Sequence, residues 1–391
     1  MLKLYNTLTR KKKTYKPWII NWYELRDLEL VKLENSLLKN LINTGIKQAG
    51  NLNKLCKSIN MSYPSFFYFL NNQSELISIK KLKLLSAYLE IDFDYFNDKI
   101  IEIRKCKIPS IKNPKFPFNL ASTAGATLLG NIVSDGCIYI DKKSRGILRT
   151  KYSAGTKEEL DNFINNVENI FGDIHFQKEK IRNSIYLKIG TSVIAESLVR
   201  VGAPIGNKTL LNCEVPWFIK KGSNEIKTAY LKAVFDDEGC VGCSYKPYIT
   251  MSRTININRF ISSEHKKLLQ EIEPLFQERI FPTGHKMKSI DISKLKKVMP
   301  PNIHSAHLIN WLFGIKPKLL YGESELLNSL NIQHWIKNYN LSLTEKNGYA
   351  LKSEIRISRK LEVLNFYNQI NFGLSAKSQK LQNALISNNW I

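Results

Sequence analysis

Two short segments of the chain end in a carboxylate followed by glycine, and each comes at the end of an apolar segment with helical spacing. They are Leu128–Gly136 and Leu231–Gly239. When they are aligned, small residues match at positions i and i+4, and the two acids match each other: Ala126 with Ala229, Gly130 with Ala233, and Asp135 with Glu238. Helix faces without bulky side chains can approach closely. We therefore expect two packed helices whose acids lie side by side at one end.

This placement of acids calls for a compensating charge. A helix C-terminus carries partial negative charge, and neighbouring carboxylates repel each other. Asp135 and Glu238 would therefore attract a divalent cation, because Mg²⁺ accepts one or two carboxylates together with phosphate oxygens. Gly136 and Gly239 suit the left-handed conformation that closes many helices. The alternative is two buried helices that each end in a solvated acid.

At this point the segments resemble the two LAGLIDADG motifs of homing endonucleases, in their two-motif, single-chain form. The resemblance continues in segments that look like the ends of the two repeats: Gly202–Thr209 with Val215–Trp217, and Phe366–Phe372 with Lys377 and Leu381. It covers about residues 120–385. It implies an α+β fold in which two pseudo-symmetric αββαββα repeats form a saddle-shaped DNA-binding surface.

The resemblance also implies an activity. It points to an intron-encoded, site-specific endonuclease that hydrolyses phosphodiester bonds of double-stranded DNA with a divalent metal, Mg²⁺ or Mn²⁺. The implied metal ligands are Asp135, Glu238, Gly136 and Gly239, and the implied catalytic residues are Asp135, Glu238, Lys208 and Lys377. Lys318 competes with Lys377 for the place in the second repeat. An alternative function is a catalytically weak DNA-binding regulator, or an intron RNA maturase of the same fold.

Alternation along the predicted strands would direct one set of side chains to DNA and the other to the covering helices. The candidates for DNA contacts are basic and polar residues of these strands: Arg149, Lys151, Tyr186, Lys188, Arg253, Arg356 and Ser358. The alternative for each is an ordinary solvated position on a strand.

A different pattern lies upstream, over about residues 31–97, and it resembles the repressor-type helix-turn-helix domains of the Cro family. Its residues fall at the offsets of two short helices joined by a turn: Leu55, Cys56, Ile59, Asn60, Met61, Phe66 and Phe69. Ser62 would cap the second helix, and Tyr63, Ser65 and Tyr68 would face the major groove. The alternative is a small helical bundle that contacts protein, because this aromatic helix lacks Arg or Gln for base contacts.

These patterns predict five segments. They are a basic N-terminal arm (1–30), an all-α helix-turn-helix domain (31–100), a basic Pro-containing linker (101–120), repeat 1 (121–222), and repeat 2 (223–391) with an insertion near 290–348. Two repeats in one chain favour a monomer. The segment Leu4–Lys13 looks like the opening of a cysteinyl-tRNA synthetase, which indicates either host-gene sequence or coincidence.

Composition agrees with a nucleic-acid partner. The 391 residues carry a formal net charge of +24, as expected of a protein that binds a polyanion. No apolar run reaches a membrane span and no secretion signal stands out, so we expect a soluble, cytoplasmic protein with no membrane partner. Cys240 and Cys243 form the only C-x-x-C, and they more readily fit the strand after the second motif than a zinc site.

Overall fold

The computed structural model describes residues 16–34, 36–71, 76–105, 108–142, 146–181, 184–280, 286–298, 303–344 and 348–391. Helices and antiparallel sheets are both present, so the α+β fold class is confirmed. Part of the predicted N-terminal arm, residues 1–15, lies outside this range, as do Cys106 and Lys107 of the predicted linker. Within the described residues, no helix is long and apolar enough to cross a membrane.

The α-helices, numbered along the chain, have the following bounds: α1 (Leu37–Ala49), α2 (Leu52–Ser58), α3 (Tyr63–Leu70), α4 (Ile79–Tyr88), α5 (Thr123–Val133), α6 (Lys157–Phe171), α7 (Ser192–Arg200), α8 (Lys208–Leu211), α9 (Trp217–Lys220), α10 (Asn224–Glu238), α11 (Ser263–Ile272), α12 (Ile292–Val298), α13 (Ile303–Gly314), α14 (Lys318–Ser329), α15 (Lys360–Gln369) and α16 (Ser375–Ser387).

The β-strands are numbered in the same way: β1 (Ile19–Ile20), β2 (Leu30–Leu33), β3 (Leu76–Ser78), β4 (Ile100–Lys105), β5 (Ile108–Lys112), β6 (Phe118–Asn119), β7 (Gly136–Asp141), β8 (Ile147–Ala154), β9 (Asp173–Ile174), β10 (Phe176–Ile181), β11 (Ser184–Ile189), β12 (Gly239–Cys243), β13 (Pro247–Asn256), β14 (Gln277–Ile280), β15 (Lys286–Asp291), β16 (Trp335–Thr344) and β17 (Gly348–Ile357).

The chain divides into two compact units that do not follow the predicted domain boundaries. The first contains Met1–Gly125 and Ile140–Val201, and the second contains Ala126–Tyr139 and Gly202–Ile391. Most of α5 therefore belongs with the later half of the chain. The physical reason is close packing of α5 on α10, which is described with the site below.

The first unit joins the N-terminal helices to strands. Its larger sheet has the order β3-β2-β4-β5-β9, and Ile111 of β5 pairs with Ile174 of β9. Three strands of a second sheet also belong to this unit, in the order β10-β11-β8. The expectation of an all-α domain over 31–100 is therefore wrong, because alternating buried residues such as Val31 and Ile77 place β2 and β3 in the larger sheet.

The predicted arm and linker are also corrected by burial. Trp22, placed by the sequence in the arm, is completely buried, and its indole N–H donates to the carbonyl of Phe93 at 2.8 Å. The expected linker contains β4, β5 and β6, and Ile103 and Ile111 on these strands are completely buried. The buried isoleucines outweigh the basic residues and proline of this segment, because pairing of β4 with β5 buries Ile103 opposite Ile111.

Two helices and a turn lie where the upstream pattern predicted them. α2 and α3 are joined through Asn60, whose φ is +52°. Ser62 occupies the N-cap position of α3, but its hydroxyl contacts the Ser65 hydroxyl at 2.8 Å and makes no capping hydrogen bond to the backbone. Leu55 and Phe66 are completely buried between the helices and the rest of the unit. The geometry of the turn is thus as expected, whereas DNA binding by this segment stays a prediction.

The second unit is built on one antiparallel sheet with the order β12-β13-β17-β16-β15-β14. Burial alternates strictly along β17, so that Leu351 and Ile355 face the core while Lys352 and Arg356 lie on the opposite face. Apolar residues of the sheet and of the helices α11, α12 and α13 form one core: Ile255, Leu269, Ile272, Ile292, Leu295, Leu308, Leu312, Leu341 and Leu351.

The insertion predicted near 290–348 has different limits. The elements between α11 and the β16–β17 hairpin are β14, β15 and α12 to α14. β16 was assigned to the insertion, yet it pairs with β17 inside the sheet, with Ile336 opposite Ile355. Pairing with β17 along most of its length makes this segment a strand of the sheet, with Leu341 completely buried opposite Leu351.

Candidate functional site

The ends of α5 and α10 lie together in the second unit, as the small-residue pattern predicted. A Cβ atom added at Gly130 would lie 2.8 Å from both the Cβ of Ala233 and the carbonyl oxygen of Tyr230. Near the helix ends, the side-chain amide of Asn131 donates to the carboxylate of Asp237 at 3.2 Å. The expected close approach of the two helices is therefore confirmed.

The two acids lie at or just beyond the ends of their helices, but the compensating charge next to Glu238 comes from the protein. Asp135 is exposed just beyond α5, and the side chain of Glu238, the last residue of α10, is 33% exposed. Glu238 Oε1 lies 3.0 Å from the Arg253 guanidinium. A fixed cation thus already balances one of the two carboxylates that the sequence assigned to metal.

Arg253 links both helix ends to α14. Its Nε and Nη2 donate to the Glu323 carboxylate at 3.1 and 2.5 Å, and its Nη1 donates to Glu238. Nη2 also donates to the hydroxyl of Ser134 at 3.2 Å, and Nη1 contacts the carbonyl of Val133 at 3.4 Å. Burial disfavours the guanidinium charge, but Glu323 and Glu238 outweigh it and raise the pKa of Arg253.

The prediction that Arg253 contacts DNA is therefore wrong. Its side chain is only 6% exposed. On β13, Tyr248, Thr250, Ser252 and Thr254 occupy the less buried positions, and Arg253 falls between them. Because side chains alternate along a strand, a shift of one residue moves a side chain to the opposite face.

Two lysines bind the carbonyl groups that the helix ends leave without intrahelical partners. Lys208 Nζ donates to the carbonyls of Ile132 at 3.0 Å and Gly136 at 2.7 Å, and also to that of Ser134. Burial, reinforced by the charge of Arg253, lowers the pKa of Lys208 to about 8. A cation at a helix C-terminus satisfies orphan carbonyls and interacts favourably with the macrodipole.

Lys377 makes the corresponding contacts at α10. Its Nζ donates to the carbonyls of Gly239 at 2.8 Å and Phe235 at 3.5 Å, and also to that of Asp236. The Asp236 carboxylate in turn accepts the backbone N–H groups of Gly373 and Leu374, at 2.9 and 3.1 Å, before α16. α10 and α16 thus supply partners to each other's ends.

Lys318, the rival of Lys377, has a different environment. Its Nζ lies 2.9 Å from Glu214, and both side chains are more than half exposed. This is an ordinary surface ion pair. The contacts at a helix end that match those of Lys208 are made by Lys377.

The two glycines differ from expectation in conformation and in contacts. Gly239 has φ −86°, and Gly136 is not among the residues with positive φ, so neither adopts the left-handed conformation. A Cβ at Gly136 would lie 2.8 Å from the Cα of Ile132, so glycine is needed here for space. The carbonyls of both glycines, expected as metal ligands, instead accept hydrogen bonds from Lys208 and Lys377. An ammonium group at these oxygens repels a metal cation.

A cavity of about 230 Å³ adjoins this cluster in the second unit. Polar and charged side chains make up much of its wall, among them Ser134, Lys208, Cys213, Glu238, Ser252, Arg253, Thr254 and Lys352. Burial raises the pKa of the Cys213 thiol. The cavity has room for a few small polar groups next to the Glu238 carboxylate.

Glu323 is the residue of this cluster that the sequence reading missed. It is completely buried on α14, where the hydroxyl of Tyr230 also donates to it at 3.4 Å. A signal was present, because Glu323 lies at helical spacing between Leu319 or Leu320 and Leu326 or Leu327, which are all buried. A lone acid on an apolar helix face indicates a buried cationic partner.

The strand residues expected to contact DNA in the first unit share one less buried face of its smaller sheet: Arg149, Lys151, Tyr186 and Lys188. Lys151 Nζ lies 4.0 Å above the Tyr186 ring, and Lys188 forms an ion pair with Glu179 at 2.6 Å. Arg149 Nε lies 3.7 Å from Asp141. These placements are compatible with DNA contacts, which stay a prediction.

The remaining candidates lie on α3 and at β17. Tyr63 and Tyr68 are 44% and 51% exposed, and Ser65 accepts a hydrogen bond from Lys81 Nζ at 2.9 Å. In the second unit, Arg356 lies on the less buried face of β17, and Ser358 follows the strand.

Comparisons with known proteins give matches to solved structures. No protein-family model matches the sequence, and no curated protein matches it. The homing endonuclease I-DmoI, solved in complex with DNA and Ca, is 14% identical with a TM-score of 0.35, over 68% of this chain and 100% of that chain.

Two further solved structures are similar at the same level. The homing endonuclease I-WcaI, bound to its DNA recognition sequence, is 14% identical with a TM-score of 0.31, over 66% of this chain and 85% of that chain. Full-length DUF199/WhiA from Thermatoga maritima is 14% identical with a TM-score of 0.32, over 69% of this chain and 61% of that chain. The structural similarity is weak in each case.

Proposed function

We propose that the protein is a site-specific endonuclease of LAGLIDADG type that hydrolyses phosphodiester bonds of double-stranded DNA. One observation carries the proposal: two tightly packed helices end side by side, and each end combines an acid with a lysine on its last carbonyls. Asp135 and Glu238 are the acids. Single helices often end in a solvated acid, whereas two packed helices that both end in an acid are the arrangement that a shared divalent cation would require.

The donor set suits a hard divalent cation, Mg²⁺ or Mn²⁺. Asp135 and the Oε2 of Glu238 supply carboxylate oxygens, while Arg253 occupies only Oε1. In the part of the chain that the structure describes, no group of three or more His, Cys, Asp or Glu side chains is arranged to hold a metal. Most ligands would therefore be water and phosphate oxygens, which is the usual situation for Mg²⁺. When bound, the cation would polarise the phosphate and acidify a coordinated water.

Lys208, Lys377 and Arg253 act in this proposal as positioning residues. The two ammonium groups fix the backbone on either side of the acids, because each holds carbonyls from the last turn and from the following strand. Arg253 fixes the Glu238 side chain. The catalytic role assigned to both lysines by resemblance thus becomes an indirect one.

DNA would be bound by two less buried sheet faces, that of β8 and β11 and that of β13 and β17. Tyr63, Ser65 and Tyr68 on α3 would make further contacts with DNA. The net charge of +24 supports a polyanionic partner. Since both acids belong to one chain, a monomer would suffice for cleavage.

A second candidate is a DNA-binding regulator with little cleavage activity, and the Arg253–Glu238 ion pair favours it. A guanidinium 3.0 Å from Glu238 lowers the demand of that carboxylate for a second cation. Binding of DNA would be unaffected by this pair.

Cleavage and binding assays separate the two candidates. Purified protein would be incubated with Mg²⁺ and a plasmid that carries the sequences flanking the gene, joined to each other. We expect linear product from the native protein, and loss of linearisation with retained gel-shift binding from Asp135→Asn and Glu238→Gln. Glu214→Gln is the matched control, since this acid forms an exposed ion pair with Lys318 and should cut like the native protein.

Binding without cleavage by all four proteins would overturn the endonuclease and support the regulator. Absence of DNA binding by the native protein would overturn both candidates.

A further inference from the structure

A stack of side chains on the outer face of the second unit holds one arginine in a fixed orientation. The Arg356 guanidinium lies 3.7 Å from the centroid of the Tyr248 ring and 5.6 Å from that of Trp335. Arg356 pairs directly with Trp335 on β16 and with Thr250 on β13, so the three aromatic and cationic groups come from adjacent strands. Trp335 is 41% exposed, which places the stack at the surface.

Gly242 on β12 makes room for the stack. It pairs with Tyr248, and a Cβ added at Gly242 would lie 2.1 Å from the ring carbon Cζ of Tyr248. The ring therefore occupies the space of the missing side chain and lies against the sheet. A tyrosine held in this way fixes the guanidinium above it, because cation–π attraction and π-stacking favour one plane.

The guanidinium of Arg356 keeps its hydrogen-bonding capacity for a ligand. Among the described residues, none accepts a hydrogen bond from it; it lies against the two rings, and its charge acts on Glu354. Arg253 is the opposite case, since Glu323, Glu238 and Ser134 all accept from it. A fixed planar fork with unused N–H donors at a surface suits a partner that presents two acceptors in one plane.

We propose that Arg356 is a specificity-determining residue that reads a guanine in the major groove, through paired N–H bonds to O6 and N7. This rests on the proposed DNA binding. Guanine is the base that presents two adjacent acceptors there, and Arg is its commonest partner. Tyr248 and Gly242 are positioning residues for this contact, because they fix the plane of the guanidinium.

The test is selection of bound duplexes from a randomised pool, followed by affinity measurements on the selected sequence and its single-base variants. The native protein should prefer guanine at one position by roughly tenfold to a hundredfold. Arg356→Lys keeps the charge and loses the fork, so this preference should fall below about threefold while other positions stay unchanged. Tyr248→Leu should weaken the preference at the same position.

Lys352→Met is the matched control on the same face of β17. It should weaken binding to all sequences alike and reduce the slope of log affinity against log salt concentration by about one, without changing the preferred bases. Circular dichroism verifies that each variant is folded. If Tyr248→Leu does not fold, the test depends on Arg356→Lys, which changes only a surface side chain.

Equal base preferences of the native protein and Arg356→Lys at every position would overturn the inference and leave the proposed function standing. Failure of the native protein to bind any duplex in the pool would overturn the proposed function and the inference with it.

Discussion

Replacing the buried Glu323 by glutamine tests whether the charge network below the candidate site holds the second unit together. Glu323 is completely buried, and it accepts two hydrogen bonds from Arg253, whose side chain is 6% exposed. Glu323→Gln keeps the size of the side chain and removes its charge. The guanidinium would then be left with Glu238 as its remaining charged partner.

The size of the effect follows from this residual pairing. Breaking a buried ion pair by removing one partner costs about 3–5 kcal/mol, because an uncompensated charge stays buried. Glu238 and the hydroxyl of Ser134 still accept from Arg253, so we expect a loss near the lower end, about 3 kcal/mol.

Urea unfolding followed by tryptophan fluorescence provides the measurement, with linear extrapolation to water. Glu214→Gln is the control, because Glu214 is 53% exposed in its ion pair with Lys318 and should lose less than about 1 kcal/mol. The double variant Arg253→Met with Glu323→Leu should recover most of the loss, since an apolar pair of similar volume carries no desolvation cost.

A loss for Glu323→Gln no larger than that for Glu214→Gln would refute the reasoning. So would a double variant that is less stable than Glu323→Gln alone, because the cost would then come from packing and not from an unpaired charge.

Three other perturbations have outcomes fixed by the same geometry. Gly130→Ala should destabilise the protein by about 1–3 kcal/mol, because the new methyl would lie 2.8 Å from the Tyr230 carbonyl oxygen; Gly314→Ala, whose methyl meets no atom within 4 Å, is the control in the same assay. Burial raises the pKa of Asp236 from 3.8 to about 6, so the folded state holds this proton more tightly than the unfolded chain. Its stabilising contribution is complete below pH 3.8 and is lost as the pH rises through 6. The thermal midpoint of the native protein should therefore fall over this pH range, and that of Asp236→Asn should not show this fall. Parallel curves of thermal midpoint against pH for the two proteins would contradict the prediction. Burial lowers the pKa of Lys208 from 10.5 to about 8, so the unfolded chain holds that proton more tightly. The native protein should therefore gain stability relative to Lys208→Met as the pH rises from about 8 toward 10.5. A difference in unfolding free energy that stays constant over this pH range would argue against a buried charge.

The sequence was a good guide wherever the relevant physics is local or periodic. Small residues at i and i+4 predicted the close approach of α5 and α10, and the structure brings Gly130 against Ala233. The turn at Asn60 is predicted from the conformation that this residue type favours, and it is present. Ser62 occupies the N-cap position, but its side chain makes no capping hydrogen bond. C-x-x-C was placed on the strand after the second motif, and β12 contains both cysteines.

The sequence did not predict correctly where a residue's role depends on which face of a strand it occupies or on partners that are distant in the chain. Arg253 is one position away from the face that was expected, and only the pairing of β13 in its sheet decides which face is buried. The predicted linker became strands because Ile111 pairs with Ile174, more than sixty residues later in the chain. The composition of this segment does not predict that contact.

By itself, the sequence determined that two helices end in acids and that small residues let them pack, since spacing along a helix fixes which side chains share a face. Tertiary structure alone decided which cations meet those ends. Lys208, Arg253 and Lys377 come from separate elements, and Glu323 holds Arg253 from a fourth. Charges that are distant in sequence are brought within a few ångströms only by packing, and burial then sets how strongly they interact.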